Sequence, residues 1–541
     1  MGRQTIVYTE ERRVYDLSSN SERVDGLFPL FESSFLVEKR LTMGIMQFNV
    51  PLLDQYDPMI LNTAYISGIE GVPWAGRIDT TDSGFGIERA IDESGRLSIV
   101  WPNSEFGLSV LSTASLRCQP NPYWLPVELA RGTLHRVRNR AVEWQRLGLK
   151  IPESFGPMID IAMASFIDAI MLQATSPYLA CQKAQESIEA AMSASRPLCR
   201  SFISQAIQFR IQQEKQLTTL LGVRLDSSPN WRLDAVAIRE AFNTVAIRSS
   251  WHSIDADVDR VGYEVFDEQM KWAKEQGMRI VGGPLISLQQ HAIQHWMYMM
   301  HDFDSLYQSA CQFVQRTVER YRGQVSIWNV ASGLNSPNEL GFSDEQTLQL
   351  AVGIVQTARR ADPRTPVLIT MDMPWGEYLG QRANAISPLH FSDALLRADL
   401  GLSGIGLEMN LGYSPGGSLP RDLIDISDLI DQWAVLGVPL VVSATIANSS
   451  ANDADAYPKY PMVSLWKTPT APSEKSWSSS SSYSLEVIQM LLAKQNVHGI
   501  FWNQQSDRGK HVFSNAGLID PNGNPRPLLD GLSQIRSRHG Q

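Results

Sequence analysis

Cysteine is scarce in this chain. Only Cys118, Cys181, Cys199 and Cys311 occur among 541 residues, and no two form a Cys-x-x-Cys pair. That spacing excludes a zinc site built on paired thiols. The flanking segments read as helix or strand, so the four are expected as buried thiols rather than as disulfides. Metal-binding histidine patterns are also missing. The nine histidines contain no His-Glu-x-x-His or His-x-His. His291 and His295 share helical spacing but have no carboxylate between them, so neither a metal nor a cofactor is expected. Positive charge is not in excess. A formal net charge of -10 and a pI near 5.5 argue against a nucleic-acid partner, because phosphate binding needs a basic face. No unbroken run of 18 apolar residues is present, so no membrane partner is expected. The segment from Met1 to Arg13 is polar and charged, without the apolar centre of a signal peptide, which points to a cytoplasmic location. The oligomeric state leaves no trace in the sequence.

What is present is a globular composition, 43% apolar and 19% charged, over a length that calls for two or three domains. Residues 1–120 read as a β-rich, sandwich-like module. Short apolar segments such as Phe35-Leu36-Val37 and Leu97 to Trp101 are bounded there by Gly, Pro, Asn and Ser. Residues 121–215 read as a helical connecting region. Trp124 to Leu147, Ile159 to Gln173 and Arg200 to Gln216 carry helical periodicity, and Pro177 and Pro197 are expected to break the run.

From residue 216 to 541 short apolar strands alternate with amphipathic helices. The strands are expected at Leu220–Val223, Thr244–Ile247, Arg279–Gly283, Val325–Val330, Val367–Thr370, Gly404–Leu407, Pro439–Val442 and Gly499–Trp502. Helices are expected at Tyr263–Gln276, Ser305–Arg322, Ser343–Arg360 and Arg421–Leu436. The fold class is therefore α/β, a (β/α)8 barrel preceded by the β-rich module and the helical region. Such barrels gather their functional residues at the C-terminal ends of the strands. The serine run Ser478–Ser482 is expected in a loop before a helix starting near Leu485. Gly412 to Ser418 is expected as a flexible loop, and it lacks the Gly-Lys-Ser/Thr of a phosphate loop.

Several stretches of the barrel resemble glycoside hydrolase family 10, whose best-known members are endo-1,4-β-xylanases. They are Ala241 to Val245 with Trp251, Trp272 to Gly283, Tyr321 to Val330, Ile405 to Leu411, and Gly499 to Trp502 followed by Asn515 to Pro527. The resemblance implies a barrel that acts on, or binds, a carbohydrate. It also exposes departures. Where the family carries Asn-Glu after the fourth strand, this chain has Ser332-Gly333. Where the family carries Thr-Glu-Leu-Asp, it has Ser443-Ala444-Thr445-Ile446. Ile247-Arg248-Ser249 replaces Pro-Glu-Asn, and Gly283 replaces a histidine. Both family catalytic glutamates are therefore expected to be absent.

Hydrolysis of a glycosidic bond needs two carboxyl groups, one of them kept protonated. Asp372, Glu377 and Glu408 are the candidates for a relocated pair, since all three fall at or just after the fifth and sixth strands. Alternatively Asp372 caps its turn, or Glu408 pairs with Arg248 across the mouth. Trp328, Trp375, Tyr413 and Trp502 are candidates for stacking on sugar rings. Arg248, Asn335, Asn410, Asn503, Gln504 and Asp507 are candidates for polar contacts to the sugar. Three readings follow: a pseudoenzyme that binds a β-linked glycan without family-type catalysis, a glycosidase with a relocated pair, or a structural or assembly protein on a reused barrel.

Overall fold

The computed structural model describes residues 44–50, 58–214, 216–248, 251, 262–293, 295–299, 302–383, 385–449, 451–463 and 474–539. The expected strand at Phe35-Leu36-Val37 lies outside them. The β-rich module holds eight strands: β1 (Gly44–Asn49), β2 (Tyr65–Ser67), β3 (Pro73–Trp74), β4 (Arg77–Thr81), β5 (Gly84–Arg89), β6 (Arg96–Asn103), β7 (Gly107–Ser112) and β8 (Tyr123–Trp124). They form two four-stranded sheets, ordered β4-β5-β1-β8 and β3-β2-β6-β7. Alternation sets the inner face. Met46 and Phe48 of β1 point inward while Ile45 is exposed, and Phe48 stacks on its cross-strand partner Phe85 at 5.4 Å. The inner faces share a core with Leu125 to Ala130 of the first helix, which seats the module on the helical region.

That region is three helices: α1 (Leu125–Arg146), α2 (Phe155–Leu172) and α3 (Pro177–Glu214). Pro177 sits at the start of α3, where its missing N–H costs nothing. Pro197, expected to break the run, lies inside the 38-residue helix. An interior proline costs about 3 kcal/mol. Burial on both sides of it, by Ala191, Ala194, Leu198 and Cys199, outweighs that local cost. Only Ile159, Ala162 and Ala169 of α2 are buried, and Ile161, Ile167 and Met171 are exposed. Among the described residues α2 is the one helix long and apolar enough to cross a membrane by length and composition. A search for unbroken apolar runs misses it because Asp160 and Asp168 interrupt the sequence.

The barrel strands are β9 (Leu220–Arg224), β10 (Thr244–Ile247), β11 (Arg279–Gly282), β12 (Ile286–Ser287), β13 (Ile327–Ser332), β14 (Val367–Asp372), β15 (Gly404–Leu411), β16 (Leu440–Ile446) and β17 (Val497–Trp502). All neighbouring pairs are parallel, β11 pairs with β13, and β17 pairs back onto β9, so eight strands close. The short β12 lies beside the upper half of β13. Around the barrel lie α4 (Ala235–Ala241), α5 (Glu264–Glu275), α6 (Phe303–Arg320), α7 (Asp344–Ala361), α8 (Pro388–Arg397), α9 (Leu423–Ala434), α10 (Glu474–Ala493) and α11 (Pro527–His539). The serine run expected in a loop lies within α10; burial of Ser484, Val487, Ile488 and Leu491 further along holds the helix despite weak local propensity. Leu220, Ala246, Val281 and Phe501 fill the lower barrel interior. Cys181 and Cys199 are buried, and Cys118 and Cys311 only half-buried; all four are free thiols.

Candidate functional site

Above that apolar plug, the inward positions turn polar and charged. Strands β14 and β15 place Asp372 directly beside Glu408. Both are almost fully buried, 3% and 2% exposed. Glu408 is held on every side. The Ser332 hydroxyl donates to its Oε2 at 2.9 Å, Asn503 Nδ2 donates to Oε1 at 3.2 Å, and Asn410 Nδ2 to Oε1 at 3.5 Å. Arg224 Nη1 lies 3.5 Å from the same Oε1. Asn503 also donates to Asn410 Oδ1 at 3.1 Å, so the two amides brace each other.

The expected partner Arg248 shares this field together with Arg224 and feels the charge of Glu408. Burial, and then the like charge of Arg224, lower Arg248 to about 10, while Glu408 and Asp226 oppose that shift. Asp226 is pushed up to about 6 by burial, against a hydrogen bond from the Ser506 hydroxyl at 2.7 Å. Asp372 is pushed up to about 8, by burial first and by the charge of Glu408 second. Its Oδ1 accepts the Met373 N–H at 2.9 Å, and Gln289 also hydrogen-bonds to it. Burial and the adjacent charge favour the protonated form of Asp372. Asp372 thus caps the turn after β14 and also adjoins Glu408.

Backbone geometry accounts for two of the sequence departures. Gly333 has φ +71, and a Cβ there would lie 2.7 Å from Gln289 Cγ. Gly283 has φ +118, and its Cβ would lie 2.1 Å from the Asn329 carbonyl oxygen. Side chains are excluded at the second position by backbone and disfavoured at the first by conformation. Ala444 is fully buried in the core shared with the helices.

The remaining candidates disperse. Trp328 lies near the start of β13, fully buried, with Nε1 3.4 Å from Asp362 Oδ2; it packs at the end of the barrel opposite the mouth. Trp502 is 1% exposed and donates to the Ala516 carbonyl at 2.9 Å. Tyr413 is buried against Phe513 and donates to the Ser514 carbonyl at 2.7 Å. Gln504 and Asp507 hold the loop after β17. Gln504 bonds both backbone groups of Phe513, and Asp507 accepts the Gly517 N–H at 2.7 Å and pairs with Arg526. Asn335 exchanges two hydrogen bonds with the backbone of Asp372. Glu377 pairs with Arg421 at 2.8 Å, and the Arg421 guanidinium covers the Trp375 ring at 4.8 Å; both belong to the junction with the β-rich module. Asn410, Asn503 and Arg248, together with Asn335 through the Asp372 backbone, are thus the candidates that the fold brings to Asp372 and Glu408.

Arg224, Ser332, Gln289 and Asp226 are members of this cluster that sequence reasoning missed. Arg224 had a signal: Leu220, Gly222 and Arg224 alternate on one face of β9, so the arginine is the next inward position. Ser332 was read only as the lack of an acid. Gly412-Tyr413-Ser414-Pro415-Gly416 has the Gly-x-Ser-x-Gly spacing of an esterase elbow. It lies in a loop tied to Pro461 and Ser418, without a strand–turn–helix.

A closed ring of eight parallel strands, with helices around it and a cluster of ionisable residues at the C-terminal mouth, defines the chain as a (β/α)8-barrel protein. The family model of Glycosyl hydrolase family 10 matches residues 215–535, and the chain belongs to that family. Endo-1,4-beta-xylanase B of Neocallimastix patriciarum is 24% identical over 185 residues, 33% of this chain; the match spans about a fifth (20%) of that relative's length. Native xylanase 10B from Thermotoga maritima overlays with a TM-score of 0.45 at 15% identity, covering 60% of this chain and 97% of that one. Xylanase 10B from Thermotoga petrophila, solved with xylobiose, gives 0.44 at 15% identity, covering 60% and 95%.

Proposed function

We propose that this protein binds a β-linked glycan at the barrel mouth without family-type hydrolysis. We infer that Gly333 and Ala444 occupy the positions of the family's two catalytic glutamates, so neither family carboxyl group is available. The observation that carries the reading is the commitment of Glu408. Both of its oxygens accept hydrogen bonds from Ser332, Asn503 and Asn410, and Arg224 neutralises it. These partners give Glu408 a structural role at the centre of the mouth, which is the ground for reading the site as one that binds rather than cleaves. Arg224 Nε, Thr445 Oγ1 and Asn503 Oδ1 are buried beside it without a protein partner. Unspent donors and acceptors of this kind suit sugar hydroxyls. The His291, Tyr457 and Tyr460 rings pack on one another, and His291 Nδ1 lies 3.2 Å from the Tyr460 hydroxyl; they supply aromatic surface close to Asp372. The xylanase name of the curated relative makes β-1,4-xylan the first ligand to try. A glycan array paired with reducing-end assays on xylan and β-glucan tests the reading: binding without turnover supports it, and turnover overturns it.

One observation favours a second reading. Burial and the neighbouring charge make Asp372 hold its proton more tightly than a free carboxyl does, beside Glu408 on an adjacent strand, and a carboxyl kept protonated next to a second carboxyl is what a glycosidase acid and its partner require. Under that reading, hydrolysis is present in the wild type and is abolished by Glu408→Gln.

A further inference from the structure

A cavity of about 210 Å³ lies away from the polar cluster of the mouth, where the β-rich module, α1 and the flank of the barrel meet. It is smaller than the roughly 300–1,000 Å³ of pockets for drug-sized ligands, so its occupant is small. Trp375 lines it and is only half-buried. Arg421 lines it too; it is 4% exposed, yet its Nε has no partner. The rest of that guanidinium is engaged: Nη2 donates to Glu377 at 2.8 Å and to the Tyr65 hydroxyl at 3.1 Å, and Nη1 lies 3.8 Å from Asp425. A buried N–H fixed in direction and lacking an acceptor is costly unless something accepts from it.

Charge narrows the class of occupant. The lining carries Arg96, Arg136 and Arg421 against Glu70, Asp425 and Asp428, three of each sign. A phosphate or carboxylate ligand needs a net positive lining, and a cation a net negative one. Balanced charge with dense hydrogen-bonding capacity beside one indole suits a neutral polyhydroxylated ring.

We propose that this cavity is a second carbohydrate site that takes one neutral sugar ring, with Trp375 as its apolar wall and Arg421 Nε, Asp425 and Gln432 as partners for its hydroxyls. The proposal stands apart from the barrel-mouth reading, because it rests on different residues. Calorimetric titration of the full chain with D-xylose and D-glucose tests it, using Trp375→Ala, Gln432→Leu and the barrel-loop variant Tyr457→Ala. Gln432 is exposed on α9, so its substitution leaves the core intact even if Trp375→Ala fails to fold. The expected result is saturable millimolar binding, weakened at least tenfold in Gln432→Leu and Trp375→Ala and unchanged in Tyr457→Ala. Absence of binding by either sugar overturns the proposal. So does binding that survives both cavity substitutions, or that is lost only in Tyr457→Ala, which assigns it to the mouth. Tighter binding of D-glucuronate than of D-glucose overturns the assignment to a neutral ring.

Discussion

Ser332 donates its hydroxyl to Glu408 at 2.9 Å, so the residue expected beside a catalytic acid instead holds down the neighbouring carboxylate. Hydrogen bonds to charged groups are worth about 1.5–3 kcal/mol when buried. Ser332→Ala is therefore expected to lower unfolding free energy by that amount, read from urea denaturation. A loss below about 0.5 kcal/mol, the range of an ordinary surface substitution, contradicts a structural role for this bond.

Placing a glutamate at Gly333, the position proposed above for the family acid, is not expected to confer hydrolysis. The position has φ +71, and its Cβ would crowd Gln289, which in turn supports Asp372. A non-glycine residue there costs about 1–3 kcal/mol. Gly333→Glu should melt earlier than the wild type and show no turnover of xylan. A stable, hydrolytic Gly333→Glu variant would show that the surrounding geometry still fits the family reaction.

Asp372 gives the protein a defined pH response. Its folded pKa, about 8, lies above the ordinary carboxylate value near 4. Between those values the folded state keeps a proton that the unfolded state has released. The contribution of Asp372 is thus fully present below pH 4 and is lost as pH rises through 8. Asp372→Asn removes that proton exchange. Unfolding free energy measured from pH 4 to 9 should fall less steeply in the variant than in the wild type. Parallel curves would place the proton elsewhere.

Glu377 tests the division between junction and mouth. It is paired with Arg421, whose side chain is 4% exposed. Removing one partner of a buried pair costs about 3–5 kcal/mol, since the other charge is left uncompensated. Glu377→Ala should lose stability on that scale while glycan affinity at the mouth, measured below the melting temperature, is unchanged. Unchanged stability with lost binding would move Glu377 to the ligand site.

The barrel was legible because each strand is a short apolar run between helices with 3.6-residue periodicity. Thr244–Ile247 agrees with the expected bounds, and the other strands overlap theirs. The strands β13, β14, β15 and β16 extend further at their C-terminal ends than expected, because the residues added there are polar: Ser332, Asp372, Asn410 and Thr445. The apolar pattern ends where the inward face turns hydrophilic, so apolarity alone marks these strands short at their C-terminal ends. The pairing of Asp372 with Glu408 was legible from strand order alone. The approach of Arg224 to Glu408 was not, since it depends on how far a side chain from β9 reaches across the barrel. Trp328 misled because an apolar strand does not declare which of its residues lie toward the mouth. Pro197 misled because local propensity does not report burial from distant parts of the chain.

The most direct test of the account is a paired measurement on wild type and Glu408→Gln: affinity for β-1,4-linked xylo-oligosaccharides, and release of new reducing ends from the same substrates. The account predicts saturable binding by the wild type, no release of reducing ends by either protein, and a loss of stability in Glu408→Gln as Arg224 loses its counter-charge. Turnover by the wild type that disappears in Glu408→Gln would contradict it and make Glu408 a catalytic residue.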